Sequence, residues 1–189
     1  AETTAGRDVT VLHADAMDID WDSLLGGFRW TLVANLPYNI SVPLICDLLD
    51  DVPGIGRMLV MVQKEVAERL VATPGDAAYG LPSVKVAYHS RARIVGRVPP
   101  SAFLPRPRVD SALVELQRLE AKAVSADPDL LFVLVRAGFG QRRKMLRRSL
   151  AGLAGAEAFE LAGVAPTARA EELGLDDWAS LVEAVAVTG

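Results

Sequence analysis

Apolar residues follow two rhythms before residue 120, and the rhythm separates strands from helices. Alternating or continuous apolar runs predict strands over residues 8–13, 27–35, 57–62, 83–90, 92–98 and 111–119. The nearly continuous run at 27–35 is typical of a parallel strand covered on both faces. Helical spacing after residue 40 and over 63–72 alternates with these strands, and the last strands follow one another without a long helix. The pattern therefore predicts an α/β, doubly wound sheet that finishes in antiparallel strands.

The first predicted helix has a defined start and an apolar side. Ser41 is placed to cap it, and Pro43 falls in the first turn, where a missing N–H costs nothing. Its apolar residues lie on one side: Leu44, Ile45, Leu48 and Leu49. The Val52-Pro53-Gly54 sequence ends the helix. This helix is therefore expected to pack on the sheet through that side.

The character of the chain changes after residues 125–129, with the sequence SADPD. Segments with helical spacing follow, separated by Gly and Pro, at 128–139, 141–153, 155–164 and 174–186. We expect Trp178 to anchor the core beneath the last of them. A domain boundary is predicted near 120–127, which divides the chain into residues 1–122, the sheet unit, and 123–189, a small all-α unit.

Composition restricts the class of protein. With 189 residues, 51% of them hydrophobic, the chain can bury one core with a small satellite. The single cysteine, Cys46, excludes an internal disulfide and a multi-cysteine zinc site. No charged-then-apolar leader and no membrane-length apolar run is found, so a cytoplasmic location is expected. Because the sequence starts at Ala1 and almost directly with a strand, we expect an upstream part to precede it.

The charge distribution points to a polyanionic partner although the net charge is −4. Twelve of the 20 Lys and Arg residues lie in two acid-free blocks, Lys85, Arg91, Arg93, Arg97, Arg106 and Arg108, and then Arg136, Arg142, Arg143, Lys144, Arg147 and Arg148. The local field rather than the total charge steers a polyanion. Solvated faces of a soluble protein are the plainer interpretation of each block.

Candidate chemistry lies where predicted strands end, since ligands of open α/β sheets bind beyond the carboxyl ends of strands. Asp15 follows the first strand, and the sequence Asn35-Leu36-Pro37-Tyr38 follows the second. The side-chain oxygen of Asn35 and the carbonyl of Leu36 or Pro37 could accept the two N–H bonds of an exocyclic amine such as adenine N6. The Tyr38 ring could stack on the base, which must leave its helix to reach it. The plainer alternatives are a strand-ending turn and, for Asp15, a simple cap.

Five ordered blocks carry a resemblance to a known family. The sequence NLPYNISVPL (35–44) resembles the fourth motif of the KsgA/RsmA family of rRNA adenine-N6,N6-dimethyltransferases. The other blocks are similar to further family motifs: HADAM (13–17), QKEVAERLVA (63–72) with AYGLPSV (78–84), PPSAFLPRPRVDSALVEL (99–116) and FGQRRKMLRRSL (139–150). The resemblance covers residues 8 to 185.

The resemblance implies a Rossmann-like S-adenosylmethionine (SAM)-dependent methyltransferase domain, N-terminally truncated, with a small C-terminal all-α domain. It implies transfer of four methyl groups to two adjacent adenosines near the 3′ end of small-subunit (16S) rRNA, a role in ribosome biogenesis, no metal, and a monomer acting on the 30S subunit. The implied catalytic residues are Asn35, Leu36, Pro37 and Tyr38, with Phe103 capping the base on the opposite face. The implied cofactor-binding residues are Asp15, Ala16 and Asn35. The implied RNA-binding residues are Arg142, Arg143, Lys144, Arg147 and Arg148 on a basic helix, with Arg106 and Arg108.

One departure from the family pattern leaves alternatives open. The glycine-rich SAM loop of the family, and the acidic residue that holds the ribose, have no counterpart in this sequence. The Gly-x-Gly sequences at 54–56 and 138–140 lack the required context. We therefore expect this chain alone to bind SAM poorly and to be inactive. A non-catalytic rRNA-binding or assembly module is one alternative, and a macrolide-resistance-type 23S rRNA adenine-N6 methyltransferase is another, which the leucine of NLPY and the helical tail disfavour.

The remaining residues have plainer interpretations. His13 and His89 lack the spacing of metal ligands and are assigned to strand packing. In the predicted basic helix, Leu146, Leu150 and Leu153 form the buried stripe, with Lys144 and Arg148 on the opposite side.

Overall fold

In residues 9–189, which the computed structural model describes, four strands form one mixed sheet flanked by helices. The strands are β1 (Trp30–Asn35), β2 (Ile55–Gln63), β3 (Ser90–Val98) and β4 (Ser111–Arg118). The helices are α1 (Trp21–Leu25), α2 (Ser41–Asp51), α3 (Lys64–Val71), α4 (Leu81–His89), α5 (Pro128–Gly140), α6 (Leu146–Ser149), α7 (Ala156–Leu161) and α8 (Leu175–Thr188). The predicted α/β class, and the strands over 57–62, 92–98 and 111–119, are confirmed.

The sheet has the spatial order β1-β2-β4-β3. Strand β1 runs parallel to β2, while β4 lies antiparallel to both β2 and β3, so the predicted antiparallel finish is confirmed. Ser111 lies opposite Gln63 on one side and opposite Val98 on the other. The carboxyl ends of β1, β2 and β3 therefore lie at the same end of the sheet as the start of β4.

The prediction of a strand over 83–90 is wrong, because α4 covers Leu81–His89. The Ser83 hydroxyl accepts a hydrogen bond from the Gly80 amide (3.1 Å) and donates one to the Arg69 carbonyl (2.6 Å), which fixes a helical first turn. Val84 and Tyr88, four residues apart, then point into the same core. A short apolar run fits the period of a strand and that of a helix, and the hydrogen bonds of Ser83 at the first turn favour the helix.

The predicted strand over 8–13 is also wrong for the part that lies within the described residues. Residues 9–13 adopt no strand, and Val11 is 73% exposed. No strand of the described sheet pairs with this segment. Its backbone amides therefore lack partners in a β-ladder, and its β-branched residues do not form a strand. His13 is accordingly exposed instead of packed in a strand.

Strand β1 is parallel as predicted, but the prediction that both its faces are covered is wrong. Leu32 and Ala34 pack against the core, whereas Val33 between them is 71% exposed. Alternating side chains point to opposite faces, so among residues 9–189 a core lies on one side of β1 only. Asn35 ends the strand on the same side as Val33.

Buried apolar residues of the described chain form two clusters. The first lies between the sheet and the helices α2 and α3, and the second lies among the C-terminal helices with α4. Helix α4 contributes to both, with Val86 in the first cluster and Tyr88 in the second. Trp178 is fully buried in the second, so its predicted role as a core anchor is confirmed. The division of the chain at residues 122 and 123 stays a prediction.

Helix α2 is held at both ends. Its apolar side is buried as predicted, and Pro43 lies in its first turn. Ser41 is not the N-cap, because the helix already begins at that residue and its hydroxyl donates to the Tyr38 carbonyl (3.1 Å). At the other end the Arg118 guanidinium of β4 donates hydrogen bonds of 2.8–3.1 Å to the carbonyls of Leu48, Leu49, Val52 and Ile55. The helix that follows Tyr38 is thereby tied to the sheet.

Candidate functional site

One cleft of about 330 Å³ gathers all five predicted catalytic residues. It is lined by Asn35, Leu36, Pro37, Tyr38 and Phe103, together with Pro105 and Pro107. The first four residues come from the end of β1, and the other three come from the loop between β3 and β4. The cleft thus joins segments almost seventy positions apart, at the end of the sheet where ligands are expected.

The backbone at Asn35–Tyr38 is fixed by hydrogen bonds. The Leu36 amide donates to the Met61 carbonyl (3.2 Å), which continues the pairing with β2 by one residue. The Pro37 carbonyl already accepts from the Ile40 amide (3.2 Å). Among the described residues, no N–H or O–H donates to the Leu36 carbonyl. Of the two backbone acceptors that the sequence leaves open, the geometry therefore favours Leu36.

The Tyr38 ring forms one wall of the cleft. Tyr38 is 37% exposed, and its hydroxyl lies 3.2 Å from the Ser111 hydroxyl. Ser111 is 1% exposed and begins β4. Sequence reasoning missed this partner, because a lone serine at the start of a strand carries no signal that it faces a tyrosine 73 positions earlier.

Phe103 reaches the cleft from the loop over residues 99–110. A 3₁₀ turn over Pro100–Ala102 precedes it, and the Phe103 amide donates to the Pro100 carbonyl (3.2 Å). The side chain is half-buried and lines the same cleft as Tyr38. Sequence reasoning also missed Pro105 and Pro107 as lining residues.

The chemistry of the cleft is that of a binding site. Of the described residues that line it, Tyr38 alone carries an ionisable group, so no carboxylate or imidazole is placed to act as a general base. The polar groups that remain are an amide side chain and backbone carbonyls. These groups can accept hydrogen bonds from a neutral amine and orient it.

The predicted cofactor-binding residues have different surroundings in the structure. The Asp15 carboxylate is exposed and accepts from the Met17 amide (2.9 Å). Ala16 lines a separate cavity of about 300 Å³ between α1 and α2, where its carbonyl accepts from the Trp21 indole (3.3 Å). Asn35 lies on the cleft described above. Asp15 and Ala16 precede α1 and Asn35 ends β1, and their shared role in binding SAM stays a prediction. Within residues 9–189, no group of three His, Cys, Asp or Glu side chains could hold a metal ion.

The predicted basic helix is not continuous. Helix α5 ends at Gly140, and α6 begins only at Leu146. The amides of Leu146 and Arg147 donate instead to the carbonyls of Ala168 (2.8 Å) and Pro166 (3.0 Å), so a neighbouring segment satisfies the start of α6. Leu146 and Leu150 are buried as predicted, but Leu153 is 38% exposed, because the chain turns away after α6.

The predicted RNA-binding side chains fall into two groups. Exposed cations that form no ion pair in the described part of the chain are Arg143, Lys144, Arg147 and Arg148, with Arg106 and Arg108 on the Phe103 loop. Arg142 differs, because it pairs with Glu171 and donates to the Ala77 carbonyl (2.9 Å). Its guanidinium is thus bonded to other groups of the protein, although the side chain is 41% exposed.

Comparison with known proteins assigns the chain to a family. The family described as Ribosomal RNA adenine dimethylase matches residues 1–186. The chain belongs to this family. Members of this rRNA-modifying methyltransferase family use SAM as the methyl donor.

Curated relatives carry the same kind of name. The chain is 47% identical over 181 residues to the Ribosomal RNA small subunit methyltransferase A of Kineococcus radiotolerans, covering 93% of this chain and 60% of that protein. It is 44% identical over 195 residues to the protein of the same name from Cutibacterium acnes, covering 98% of this chain and 65% of that protein. The chain therefore spans somewhat less than two thirds of these relatives.

Solved structures support the Rossmann-like methyltransferase fold. A dimethyladenosine transferase from Plasmodium falciparum matches with a TM-score of 0.67 and 25% identity, over 93% of this chain and 69% of that chain. The 23S rRNA methyltransferase ErmE matches with a TM-score of 0.70 and 21% identity, over 98% of this chain and 75% of that chain, which is a likeness of fold alone. Among the residues that the structure describes, no helix is both long and apolar enough to cross a membrane.

Proposed function

We propose that this chain forms the base-binding and RNA-binding part of an rRNA adenine-N6 dimethyltransferase. The proposed targets are two adjacent adenosines near the 3′ end of small-subunit rRNA, modified in the cytoplasm by a monomer during ribosome biogenesis. The observation that carries the proposal is the shared cleft, in which an amide and a backbone carbonyl stand beside two aromatic rings. Family membership and the names of the relatives agree with it.

The cleft would act by orientation. The N6 lone pair of adenine is delocalised into the ring, so the amine is a poor nucleophile until it is held pyramidal. The Asn35 side-chain oxygen and the Leu36 carbonyl would accept its two N–H bonds and direct the lone pair outward. No general base is required in this scheme, in keeping with the lining of the cleft.

The two rings would hold the base itself. A base swung out of its RNA loses stacking worth a few kcal/mol. Stacking on an aromatic side chain is worth about 1–3 kcal/mol per base. Tyr38 on one face and Phe103 on the other would offset the cost of extrusion, provided that the base lies between them.

The exposed cations would bind the RNA backbone. Arg106 and Arg108 lie on the Phe103 loop, next to the base-binding cleft, and Arg143, Lys144, Arg147 and Arg148 lie around α6. Each phosphate contact to a single strand changes the slope of log K against log salt by about 0.7. Binding of the small subunit is therefore expected to weaken steeply with salt.

Labelled-methyl transfer from SAM to under-methylated small subunits by the full-length protein tests the proposed activity. Asn35→Ala is expected to lower the rate about tenfold or more, because hydrogen bonds to a group that gains charge are worth about 1.5–3 kcal/mol. Asn39→Ala is the matched control, since it removes an exposed amide that lies off the cleft. An unchanged rate with Asn35→Ala would refute the mechanism. Mapping the modified nucleotide separates a small-subunit from a 23S rRNA target.

A non-catalytic rRNA-binding role is the second candidate. The observation that favours it is the set of exposed cations around α6, which can bind RNA without a cofactor. Calorimetric titration of the 189-residue chain with SAM decides between the two. Tight binding supports catalysis by this chain, and absence of binding together with salt-dependent RNA binding supports the second candidate.

A further inference from the structure

We infer that Ser111 is a positioning residue that fixes the Tyr38 ring for stacking, an inference that rests on the proposed function. The two hydroxyl oxygens lie 3.2 Å apart, within hydrogen-bond distance. Ser111 is 1% exposed, so its side chain is too deeply buried to touch the base. It acts on the substrate only through the tyrosine.

The anchor is rigid because the sheet holds it from both sides. Ser111 lies opposite Gln63 of β2 and opposite Val98 of β3. The hydrogen bond from the Lys64 amide to the Asp110 carbonyl (2.9 Å) extends the bonding to the residue before β4. A hydroxyl held in this way moves with the sheet and not with the loop.

The hydrogen bond to Ser111 restricts the rotamer of the Tyr38 side chain, which the backbone contacts of Tyr38 leave free. The Tyr38 carbonyl accepts from the Ser41 hydroxyl, so the main chain is fixed at the start of α2. The side chain is partly exposed and could otherwise adopt another χ1 rotamer. Because the phenol oxygen lies on the long axis of the ring, a bond at that oxygen fixes the direction of the axis.

The same residue also defines the position of the opposite wall. The loop that carries Phe103 leaves the sheet after Val98 and returns at Ser111, and these two residues face each other in the ladder. One residue thus ends the Phe103 loop and anchors the Tyr38 ring. The spacing of the two rings is therefore set from Ser111, and loss of its hydroxyl is expected to loosen the sandwich without unfolding the sheet.

Tyrosine labelled with ¹³C at the ζ position reads the hydrogen bond directly, because the chain has only three tyrosines, Tyr38, Tyr79 and Tyr88. Tyr38→Phe assigns the Tyr38 signal by its disappearance. Ser111→Ala is expected to shift that signal and leave the other two in place. Ser101→Ala, which removes an exposed hydroxyl from the Phe103 loop, is expected to shift none of them. An unmoved Tyr38 signal in Ser111→Ala would overturn the inference.

The preference of the protein for adenine over uracil measures how the hydrogen bond affects base binding. It is measured as the ratio of affinities for a short RNA with two unpaired adenosines and the same RNA with uridines. Ser111→Ala and Tyr38→Phe are each expected to lower this ratio about two- to tenfold, the effect of one neutral hydrogen bond. The double variant should lose no more than either single one, and Ser111→Thr should restore the ratio.

The outcomes that contradict the inference are distinct. Additive losses, or a loss in Ser111→Ala with none in Tyr38→Phe, would show that Ser111 acts otherwise than through Tyr38. A wild-type protein without adenine preference would overturn the proposed function, and the positioning role with it. The ¹³C signal reports on the hydrogen bond in either case, so the two failures can be told apart.

Discussion

Arg142 forms an ion pair with Glu171, and its guanidinium also donates to the Ala77 carbonyl. The sequence places Arg142 among the RNA-binding cations, yet its guanidinium joins three segments of the protein. The Glu171 backbone carbonyl accepts in turn from the Gly75 amide (2.9 Å), so the contact belongs to a small structural junction. The basic segment therefore contains one residue whose role differs from that of its neighbours.

Changing the exposed cations is expected to affect RNA binding, whereas changing Arg142 is expected to affect stability. The triple variant Arg143→Glu, Arg147→Glu and Arg148→Glu should weaken RNA binding and reduce the salt slope by about two, roughly 0.7 for each lost phosphate contact. Arg142→Ala should lower thermal stability and leave the slope nearly unchanged. Fluorescence anisotropy with labelled RNA at several salt concentrations measures the slope. An equal loss of slope in both variants would contradict the distinction.

Phe103 is expected to contribute to the binding of unpaired adenosine. Phe103→Ala removes one aromatic wall of the cleft, and the lost stacking should weaken adenosine-dependent RNA binding by about 1–3 kcal/mol. Leu104→Ala is the matched control, because Leu104 is 100% exposed and does not line the cleft. Phe103→Tyr should retain most of the affinity. Equal losses in Phe103→Ala and Leu104→Ala would mean that loop hydrophobicity, and not stacking, is responsible.

The elements that could be predicted from sequence are those with a long or unambiguous apolar pattern. Strand β2 has a nearly continuous apolar run, and α2 has an apolar side of four residues, so both are confirmed. The segment 83–90 fits a strand or a helix equally, and the contact of Ser83 with Arg69 decides the outcome. A local sequence pattern carries no information about contacts between distant segments. The prediction of a strand in place of α4 is wrong for this reason.

Some residues of the candidate site could be predicted from sequence motifs, and others could not. Asn35–Tyr38 and Phe103 could be singled out because each stands in a motif, and the structure brings them to one cleft. Ser111 and the role of Arg142 depend on partners 73 and 29 positions away, respectively. The break between α5 and α6 likewise follows from bonds to residues 166–168. Such features require the tertiary structure, since no periodicity encodes them.

Arg118 is expected to be important for stability. Its guanidinium satisfies carbonyls at the end of α2, and charge-assisted hydrogen bonds and the helix dipole together suggest a loss of about 2–3 kcal/mol in Arg118→Met. Arg118→Lys should recover only part of it, because an ammonium cannot reach several carbonyls in a plane. Arg91→Met, at an exposed position of β3, is the control. Urea unfolding measures the differences.

Asp50 is expected to make stability depend on pH in the acid range. Partial burial would raise the pKa of Asp50, but hydrogen bonds from His89 and Lys85 outweigh it and hold the pKa below its usual value of 3.8. A carboxyl group whose folded pKa is depressed stabilises the protein above the unfolded pKa, and this contribution disappears as pH falls through the folded value.

The difference between wild type and Asp50→Asn tests this dependence. It should shrink below about pH 4, where the unfolded carboxyl group becomes protonated. Urea unfolding at pH 7, 5 and 3 measures it. Asp47→Asn, one turn earlier on the same helix, is the control, since Asp47 forms no ion pair among the described residues. A difference that grows between pH 5 and pH 3 would contradict the assignment.

Gly138 is expected to tolerate no side chain, although it lies inside a helix where alanine is normally preferred. A Cβ atom at Gly138 would lie 2.7 Å from the Trp178 ring and 3.2 Å from the Ala170 Cβ atom. Overpacking of this kind costs about 1–3 kcal/mol, which exceeds the gain of about 1 kcal/mol in helix propensity. Gly140→Ala, two residues further along α5, meets nothing within 4 Å and should be neutral or stabilising. Thermal unfolding of the two variants compares them directly. Equal midpoints would show that α5 and α8 can separate without cost, against the close packing of Trp178.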